Sequence, residues 1–251
     1  MARRALAEFV GTGFLLIAVV GSGIAAQRLS PNDTGLQLLE NAVATAAALV
    51  AVILAVGPVS GAHLNPVVTL ADRVFGGLTS GDAAVYVGAQ VVGAAWGAIV
   101  ANLMFGLPAV ELSSTARSSG GLWLGEVVAT LGLLVVVFGV VRSGRLSAAP
   151  FAVGGYIGGA YLFTSSTSVA NPAATVARML SDTFAGIRPS SAPAFIAAQI
   201  AGATLAVVVV RVLYPGVREV ATDVVVPHPS PLSPPTSSDG RHAVTTAEEM
   251  P

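Results

Sequence analysis

Long apolar runs, not alternating hydrophobic and polar positions, dominate the first 214 residues of the chain. A helix needs about 20 mostly apolar residues to cross the hydrocarbon core of a bilayer. Six runs approach or exceed that length, and they predict transmembrane helices at 5–27, 36–57, 81–106, 119–141, 147–164 and 192–213. The first run is too long for the apolar part of a cleavable signal peptide and is followed by further spans, so we interpret it as a retained helix.

Two shorter apolar segments, at 65–75 and 171–181, lie between the second and third spans and between the fifth and sixth. Eleven residues of helix cover about 16 Å, roughly half of the apolar thickness. These segments are therefore predicted to be re-entrant half-helices. The fold class expected from the pattern is an all-α membrane protein of six transmembrane helices and two half-helices.

An internal repeat relates the two halves of the chain, because three landmarks recur in the same order. The paired landmarks are Glu8–Thr12 with Glu126–Thr130, Asn65-Pro66 with Asn171-Pro172, and Gln90–Gly93 with Gln199–Gly202. Each half holds three spans and one half-helix, and an odd number of spans gives the halves opposite orientations. We expect half-repeats of about 1–107 and 118–214 in one channel domain, 1–214, with the functional site at the membrane midplane.

Each half-helix is predicted to begin at its Asn-Pro pair. Asn is a favoured N-cap residue, and Pro suits the first helical position because it lacks an N–H that would have no acceptor there. A single Asn-Pro pair usually marks an ordinary turn, but two at matching points of an inverted repeat indicate a functional site. Two helix N-termini meeting at the midplane would oppose cations, while the amides of Asn65 and Asn171 donate to a passing oxygen.

Three segments carry a family resemblance: Ala-Glu-Phe-Val-Gly-Thr (7–12), Ser-Gly-Ala-His-Leu-Asn-Pro-Val (60–67) and Val-Ala-Asn-Pro-Ala-Ala (169–174). They resemble the major intrinsic protein family, the aquaporins and glycerol facilitators, and the similarity extends over about 3–213. Segment 164–178 is similar to a bacterial branch associated with arsenic handling. The resemblance implies the aquaporin fold, a homotetramer with one pore per subunit, no cofactor and passive transport of small neutral solutes. The second motif keeps the family's Ala at Ala173, whereas Val67 replaces it in the first.

The resemblance also implies a four-residue constriction that selects the solute. Counting from the two motif Asn residues places it at Thr45, Gly159, Ser168 and Ala174, the last of which stands where the family usually has an Arg. A filter with no bulky or charged member predicts a wide aperture. It would pass polyols, urea-like molecules or metalloid hydroxides such as arsenous acid, not strictly water. A water-selective channel is the alternative.

Arg178 lies four residues beyond Ala174, about one turn along the same helix face. One interpretation is an arginine that snorkels to the lipid headgroups from a helix end. The other is a displaced guard in the outer vestibule of the pore.

Glu8 and Glu126 are acids within predicted spans, where an ionisable group is functional by default. They are interpreted either as a proton relay or as acceptors that hold the re-entrant loops, and their matching positions favour the second. The backbone carbonyls of Gly61, Ala62 and His63 are predicted to line the pore. A metal-binding or pH-sensing role for His63 is the other hypothesis.

Composition narrows the function classes. Only 10% of the residues are charged and 54% are hydrophobic, against about 25% charged in soluble domains. A net charge of −1 argues against nucleic-acid binding, and the absence of cysteine excludes disulfides and thiolate metal sites. The sequence contains no Ser-His-Asp-type constellation that would indicate an enzyme. A coupled secondary transporter remains an alternative, although it would need ionisable residues at the midplane to bind its coupling ion.

The arginines predict the orientation, since basic residues concentrate on the cytoplasmic side. With the N-terminus inside, eight arginines (3, 4, 73, 142, 145, 211, 218 and 241) lie inside and four (28, 117, 178 and 188) outside. Both termini are therefore predicted to be cytoplasmic and the protein to lie in the cell membrane. Residues 215–251 are rich in Pro, Ser and Thr and are predicted to form a disordered cytoplasmic tail.

Overall fold

The computed structural model describes residues 1–215, which form eight α-helices and three short 3₁₀ turns. The helices are α1 (Ala2–Leu29), α2 (Thr34–Ser60), α3 (Pro66–Phe75), α4 (Ser80–Met104), α5 (Gly120–Arg142), α6 (Ala149–Phe163), α7 (Pro172–Ala177) and α8 (Ala192–Leu213). No β-strand occurs between residues 1 and 215. Apart from Pro215, the predicted tail lies outside the described residues.

The all-α prediction and its six transmembrane helices are confirmed. Six helical segments, the last two including a 3₁₀ turn at the start, are long and apolar enough to cross a membrane. Their ends follow from local sequence. Side-chain oxygens of Asp33, Thr79 and Ser119 cap the first turns of α2, α4 and α5, and Gly61 ends α2 in the left-handed conformation with φ 86°.

The two half-helices have the predicted positions but unequal lengths. Helix α3 has 10 residues, about 15 Å at 1.5 Å per residue. Helix α7 has only six residues and passes at Arg178 into a 3₁₀ turn, Arg178–Leu180. The predicted second half-helix, 171–181, therefore ends in a tighter turn and not in regular α-helix.

The two repeats pack in the same way. In the first, α1 lies against α2 and α4, and in the second α5 lies against α6 and α8. Across the two halves α2 contacts α6, α4 contacts α7 and α3 contacts α8. Both halves thus contribute to one central space.

Glycines bring the helix backbones of each repeat into contact, as small residues do in membrane bundles. A Cβ on Gly93 of α4 would lie 2.2 Å from the carbonyl oxygen of Phe9 in α1, and one on Gly202 of α8 would lie 2.5 Å from that of Val127 in α5. The matching close approaches preserve the symmetry that positions the two half-helices.

Candidate pore and solute site

The two Asn side chains cap the half-helices. The Oδ1 atom of Asn65 accepts a hydrogen bond from the N–H of Val67 at 3.0 Å. The Oδ1 atom of Asn171 accepts from Ala173 at 2.9 Å and from Ala174 at 3.2 Å. In each case the following proline occupies the first helical position, as the sequence predicts.

The amide nitrogens of the same two residues tie the tips together. Asn65 Nδ2 donates to the carbonyl of Ala170 at 2.8 Å, and Asn171 Nδ2 donates to the carbonyl of Leu64 at 2.8 Å. A side-chain amide carries two N–H donors, and both Asn residues line the central cavity. Each therefore has one N–H left to donate to a molecule in that cavity.

Glu8 lies buried against the loop that precedes α3. Its carboxylate accepts hydrogen bonds from the N–H groups of His63 at 3.0 Å and Leu64 at 2.7 Å. It also accepts from the Ser60 hydroxyl at 2.6 Å and the Gln90 amide at 2.8 Å. Four donors surround this one carboxylate, so both of its oxygens are occupied by the loop and its supports.

Glu126 has the matching position in the second repeat. It accepts from the N–H groups of Val169 at 2.9 Å and Ala170 at 2.8 Å, and from the Gln199 amide at 2.6 Å. The same Gln199 amide also donates to the Thr175 hydroxyl of α7 at 2.9 Å. Each carboxylate therefore joins one loop to the last helix of its own repeat.

These contacts set the direction of the loop carbonyls. The N–H and C=O of a trans peptide point in opposite directions. Because the N–H groups of His63 and Leu64 point to Glu8, the carbonyls of Ala62 and His63 point away from it. The cavity lies on that side, since Ala62 and His63 both line it. By the same geometry, the peptides whose N–H groups point to Glu126 turn the carbonyls of Ser168 and Val169 away from it, and both of these residues line the cavity.

The loops adopt this shape at a conformational cost. Ala62 and Leu64 have φ of 47° and 53°, and Ser168 and Ala170 have φ of 49° and 48°. The left-handed region costs roughly 1–2 kcal/mol per residue for a side chain with Cβ. The hydrogen bonds to the two carboxylates offset that cost. They also fix the backbone conformation in which the loop carbonyls point away from the carboxylates.

The cavity between the repeats, counted together with the solvent space at its openings, has about 750 Å³ of atom-free volume. Its wall is mainly aliphatic, and the long helices α1, α2, α5 and α6 contribute eight of the aliphatic residues: Leu15, Val19, Leu49, Ile53, Leu133, Val137, Val153 and Ile157. Polar groups converge on it from the two loops and from one end. An apolar tube with a few polar groups is the usual form of a small-molecule site.

One end of the cavity is lined by Thr45, Tyr161, Ser168, Ala174 and Arg178, and we call it the arginine end. The hydroxyls of Thr45 and Tyr161 lie 3.4 Å apart. The Ser168 hydroxyl is buried and makes no hydrogen bond to the described residues. It is thus available to a solute.

Comparison with known proteins decides the family. The profile of the major intrinsic protein family matches residues 1–170. The chain belongs to the major intrinsic protein family. It is 46% identical over 220 residues to the aquaglyceroporin AqpS of Rhizobium meliloti (strain 1021), covering 88% of this chain and 94% of AqpS. It is 32% identical over 236 residues to the aquaporin AqpM of Methanothermobacter marburgensis, covering 82% and 95%.

A solved structure shares the fold. The X-ray structure of the aquaglyceroporin from Plasmodium falciparum matches with a TM-score of 0.68 and 22% identity, covering 86% of this chain and 98% of that one. The protein is therefore a multi-pass membrane channel for small solutes with the aquaporin fold, and it is not an enzyme.

Not all of the predicted filter residues meet. Thr45, Ser168 and Ala174 line the arginine end, but Gly159 does not line the cavity. A Cβ on Gly159 would instead meet the ring of Phe163 at 3.8 Å, and Phe163 is an outward-facing side chain. Counting residues back from Asn171 ignored the register of α6.

Tyr161 lies in the wall where Gly159 was expected. Val153, Ile157 and Tyr161 follow one another at four-residue spacing, which places them on one face of α6. Gly159 falls on the opposite face. The four-residue spacing alone does not single out this face, because Gly155, Gly159 and Phe163 are spaced in the same way; the lining of the cavity decides between them. The expectation of a constriction without a bulky member was wrong in this respect.

The position of Arg178 contradicts one of the two interpretations made from the sequence. Its side chain is only 2% exposed, lines the cavity and donates from Nε to the carbonyl of Ala185. A snorkelling arginine at the lipid headgroups is therefore excluded. The other interpretation, a displaced guard in the outer vestibule of the pore, stays a prediction.

Two of the three residues whose carbonyls were predicted to line the pore lie at the cavity. Ala62 and His63 line the cavity, while Gly61 does not. The His63 ring contacts the Thr69 hydroxyl at 3.2 Å and lies 3.9 Å from the Asp72 carboxylate. No cluster that could hold a metal ion occurs among the described residues.

Proposed function

We propose that the protein is a passive pore for small uncharged solutes larger than water: polyols, urea-like molecules or undissociated metalloid hydroxides such as arsenous acid. The observation that carries the proposal is the aliphatic cavity into which the two Asn amides converge. The wall offers hydrogen-bonding groups to a solute at only a few points. Its aliphatic surface does not oppose the passage of an uncharged molecule.

The proposed path offers both donors and acceptors to a solute. The free N–H groups of Asn65 and Asn171 donate to a solute oxygen. The carbonyls of Ala62 and His63, which point away from Glu8 and toward the cavity, accept from the solute's hydroxyls. A polyhydroxylated solute has both kinds of group and can exchange its water for these contacts. The aliphatic wall opposite accommodates its carbon or metalloid side without an unpaired polar group.

Exclusion of cations has two sources in this proposal. The N-termini of α3 and α7 point at the cavity through Asn65 and Asn171, and each carries part of a positive charge. A cation would also lose its hydration against the aliphatic wall. An uncharged solute is not repelled by the helix N-termini, and it loses less hydration free energy than a cation does.

A water-selective pore is the second candidate function. It is favoured by Tyr161 and Arg178, which narrow the arginine end beyond what Thr45, Ser168 and Ala174 alone would do. The aquaglyceroporin name of AqpS and the small side chains at three wall positions support the wider pore. A coupled transporter is less well supported, because Glu8 and Glu126 already accept hydrogen bonds from their loops and leave no free carboxylate oxygen for a coupling ion.

The proposed cellular form is a homotetramer in the cell membrane with both termini in the cytoplasm. The arginine distribution supports that orientation, and membership in the family supports the assembly. The proposed channel domain is 1–214, and residues 215–251 are proposed as a cytoplasmic tail.

Uptake of arsenous acid into proteoliposomes tests the solute class. Vesicles carrying the full chain are expected to take up arsenous acid well above the rate of empty vesicles, without dependence on an ionophore. A rate equal to that of empty vesicles would refute the proposal for this solute. Glycerol and urea, measured in the same preparation, test the two other solute classes.

A further inference from the structure

An apolar groove lies on the outside of the bundle, between the second half-helix and the start of α8, and we call it the α7–α8 groove. One wall comes from Val176 of α7 and Met179 of the 3₁₀ turn that follows it. The other wall comes from α8 and the 3₁₀ turn before it, between Pro189 and Ile200. All of the lining side chains are apolar, and none of them lines the central cavity.

The groove exists because α7 is short and the residues opposite it are small. After six residues α7 passes at Arg178 into the tighter turn, so it does not fill the space beside α8. On the α8 side, Ala192 and Ala197 contribute only methyl groups. Val176 and Met179 are therefore only half-buried, and the side of α7 that faces away from the pore is left partly uncovered.

The length of the groove matches one leaflet of a bilayer. Pro189 begins the membrane-spanning segment Pro189–Leu213, so this end of the groove lies at the membrane edge. Ile200 is eleven residues further along the chain, about 16 Å of helix and roughly half of the hydrocarbon core. A neighbouring transmembrane helix would cross the full thickness, whereas one acyl chain crosses one leaflet. The length therefore favours an acyl chain as the occupant.

An exposed arginine lies at the membrane edge of the groove. Arg188 directly precedes Pro189 and is exposed. Its N–H donates to the carbonyl of Thr115 at 2.8 Å, and its Nε donates to that of Ser114 at 3.0 Å. Among the described residues, Nε is the one guanidinium nitrogen of Arg188 with a protein acceptor. The residue is thus held in place while its terminal nitrogens keep their donors.

One acid shares a hydrogen-bond partner with Arg188. Asp182 accepts from the N–H of Ser114 at 2.9 Å and from its hydroxyl at 3.0 Å. Within residues 1–215 it forms no ion pair with Arg188. The terminal nitrogens of Arg188 can therefore donate to a phosphate oxygen, which is a group that a guanidinium binds well.

We propose that the α7–α8 groove binds one phospholipid, with an acyl chain against Val176, Met179 and Ala197 and the phosphate on Arg188. The acyl chain covers the side of α7 that faces away from the pore. It thereby supports the half-helix whose opposite side lines the cavity. The proposal rests on the membrane location of the protein and does not depend on which solute passes.

Lipid titration of the purified full chain tests the groove. The chain is delipidated in detergent, and native mass spectrometry counts bound phosphatidylglycerol as its concentration is raised. Ala197→Phe is expected to weaken binding at least about tenfold, since its ring displaces about two methylene groups of the acyl chain. Ala201→Phe, at an exposed position one turn further along α8 and outside the groove, is the matched control and should bind as the wild type does.

If Ala197→Phe does not fold, the smaller Ala197→Leu takes its place in the same titration. Wild-type affinity in a folded groove-filling variant would overturn the proposal. Equal losses in the variants at Ala197 and Ala201 would overturn it too, because they would show adsorption to the whole helix surface and not to the groove.

The phosphate contact has its own test. Arg188→Gln should weaken phosphatidylglycerol binding about two- to fivefold, the size of an exposed ion pair. Diacylglycerol with the same acyl chains lacks the phosphate and should bind to the wild type and to Arg188→Gln equally. Arg28→Gln is the control, because Arg28 contacts Phe105 instead, and it should leave binding unchanged. Wild-type affinity for phosphatidylglycerol in Arg188→Gln would refute the phosphate contact.

Two labels identify the occupant. Phosphatidylglycerol with a diazirine on its acyl chain should label Val176, Met179 or Ala197 in preference to Leu205 and Val208, which are exposed further along α8. Even labelling of all five would contradict the proposal. Because the chain has no cysteine, Ala197→Cys provides a single thiol. A disulfide between two chains at this position would show that a second copy fills the groove and would overturn the lipid assignment.

Thermal unfolding tests the support of α7. Phosphatidylglycerol should raise the melting temperature of the delipidated wild type, because a ligand that binds only the folded state stabilises it. The increase should be smaller in Ala197→Phe and unchanged in Ala201→Phe. An equal increase in all three proteins would refute the supporting role of a lipid in the groove.

Discussion

Replacing Glu126 by Gln separates the two interpretations of the buried acids. The carboxylate accepts from three donors: Val169, Ala170 and Gln199. The Gln oxygen can keep the position that serves Ala170 and Gln199, but its NH₂ group then faces the N–H of Val169. One charge-assisted bond is lost, which costs about 1.5–3 kcal/mol.

The expected result is a lower melting temperature by roughly 3–12 °C, taking about 2–4 °C per kcal/mol for a chain of this size. The assay is thermal unfolding of the detergent-solubilised protein followed by tryptophan fluorescence. Glu8→Gln should shift in the same direction, because its four donors also outnumber what one amide oxygen can serve. The exposed Glu111→Gln is the matched control and should not shift.

Solute flux completes this test. If the two acids hold the loops, the variants should show a lower solute flux per folded channel, because their loops are less well held. That flux should not depend on a proton gradient. An unchanged melting temperature in Glu126→Gln, together with loss of a proton-driven component of transport, would refute the supporting role and favour the relay.

Three further outcomes are expected. Gly93→Ala should destabilise the bundle by about 1–3 kcal/mol or more, because its Cβ would lie 2.2 Å from the Phe9 carbonyl. Gly88→Ala, in the same helix with open space around its Cβ, should be neutral or stabilising by up to about 1 kcal/mol; equal effects in thermal unfolding would contradict the packing argument. Tyr161→Ala should raise permeability to larger polyols in vesicle swelling, while Gly159→Ala should leave it unchanged, and the reverse result would restore the residue count made from the sequence.

Much of the fold was predictable because membranes restrict structure strongly. Helix α5 was predicted at 119–141 and is found at Gly120–Arg142, and the 147–164 span begins with a 3₁₀ turn before α6. Apolar length alone determines such elements. The half-helix starts were equally readable, since Asn followed by Pro specifies an N-cap and a first turn.

The wall of the pore was less predictable, for a physical reason. Apolar runs in lipid carry little amphipathic signal, so the face of α6 that meets the cavity cannot be taken from hydropathy. Counting from Asn171 chose Gly159, two residues and more than half a turn away from Tyr161. Arg178 was ambiguous because its direction depends on where α7 ends and on the carbonyl of Ala185, which lies seven residues further along the chain.

The measurement closest to the central claim is stopped-flow light scattering on proteoliposomes, with glycerol and water permeability measured on the same vesicles. A pore wider than a water channel predicts a glycerol permeability far above that of empty vesicles, with a comparatively small enhancement for water. Rapid water flux with glycerol permeability no greater than that of empty vesicles would contradict the account and identify a water-selective channel.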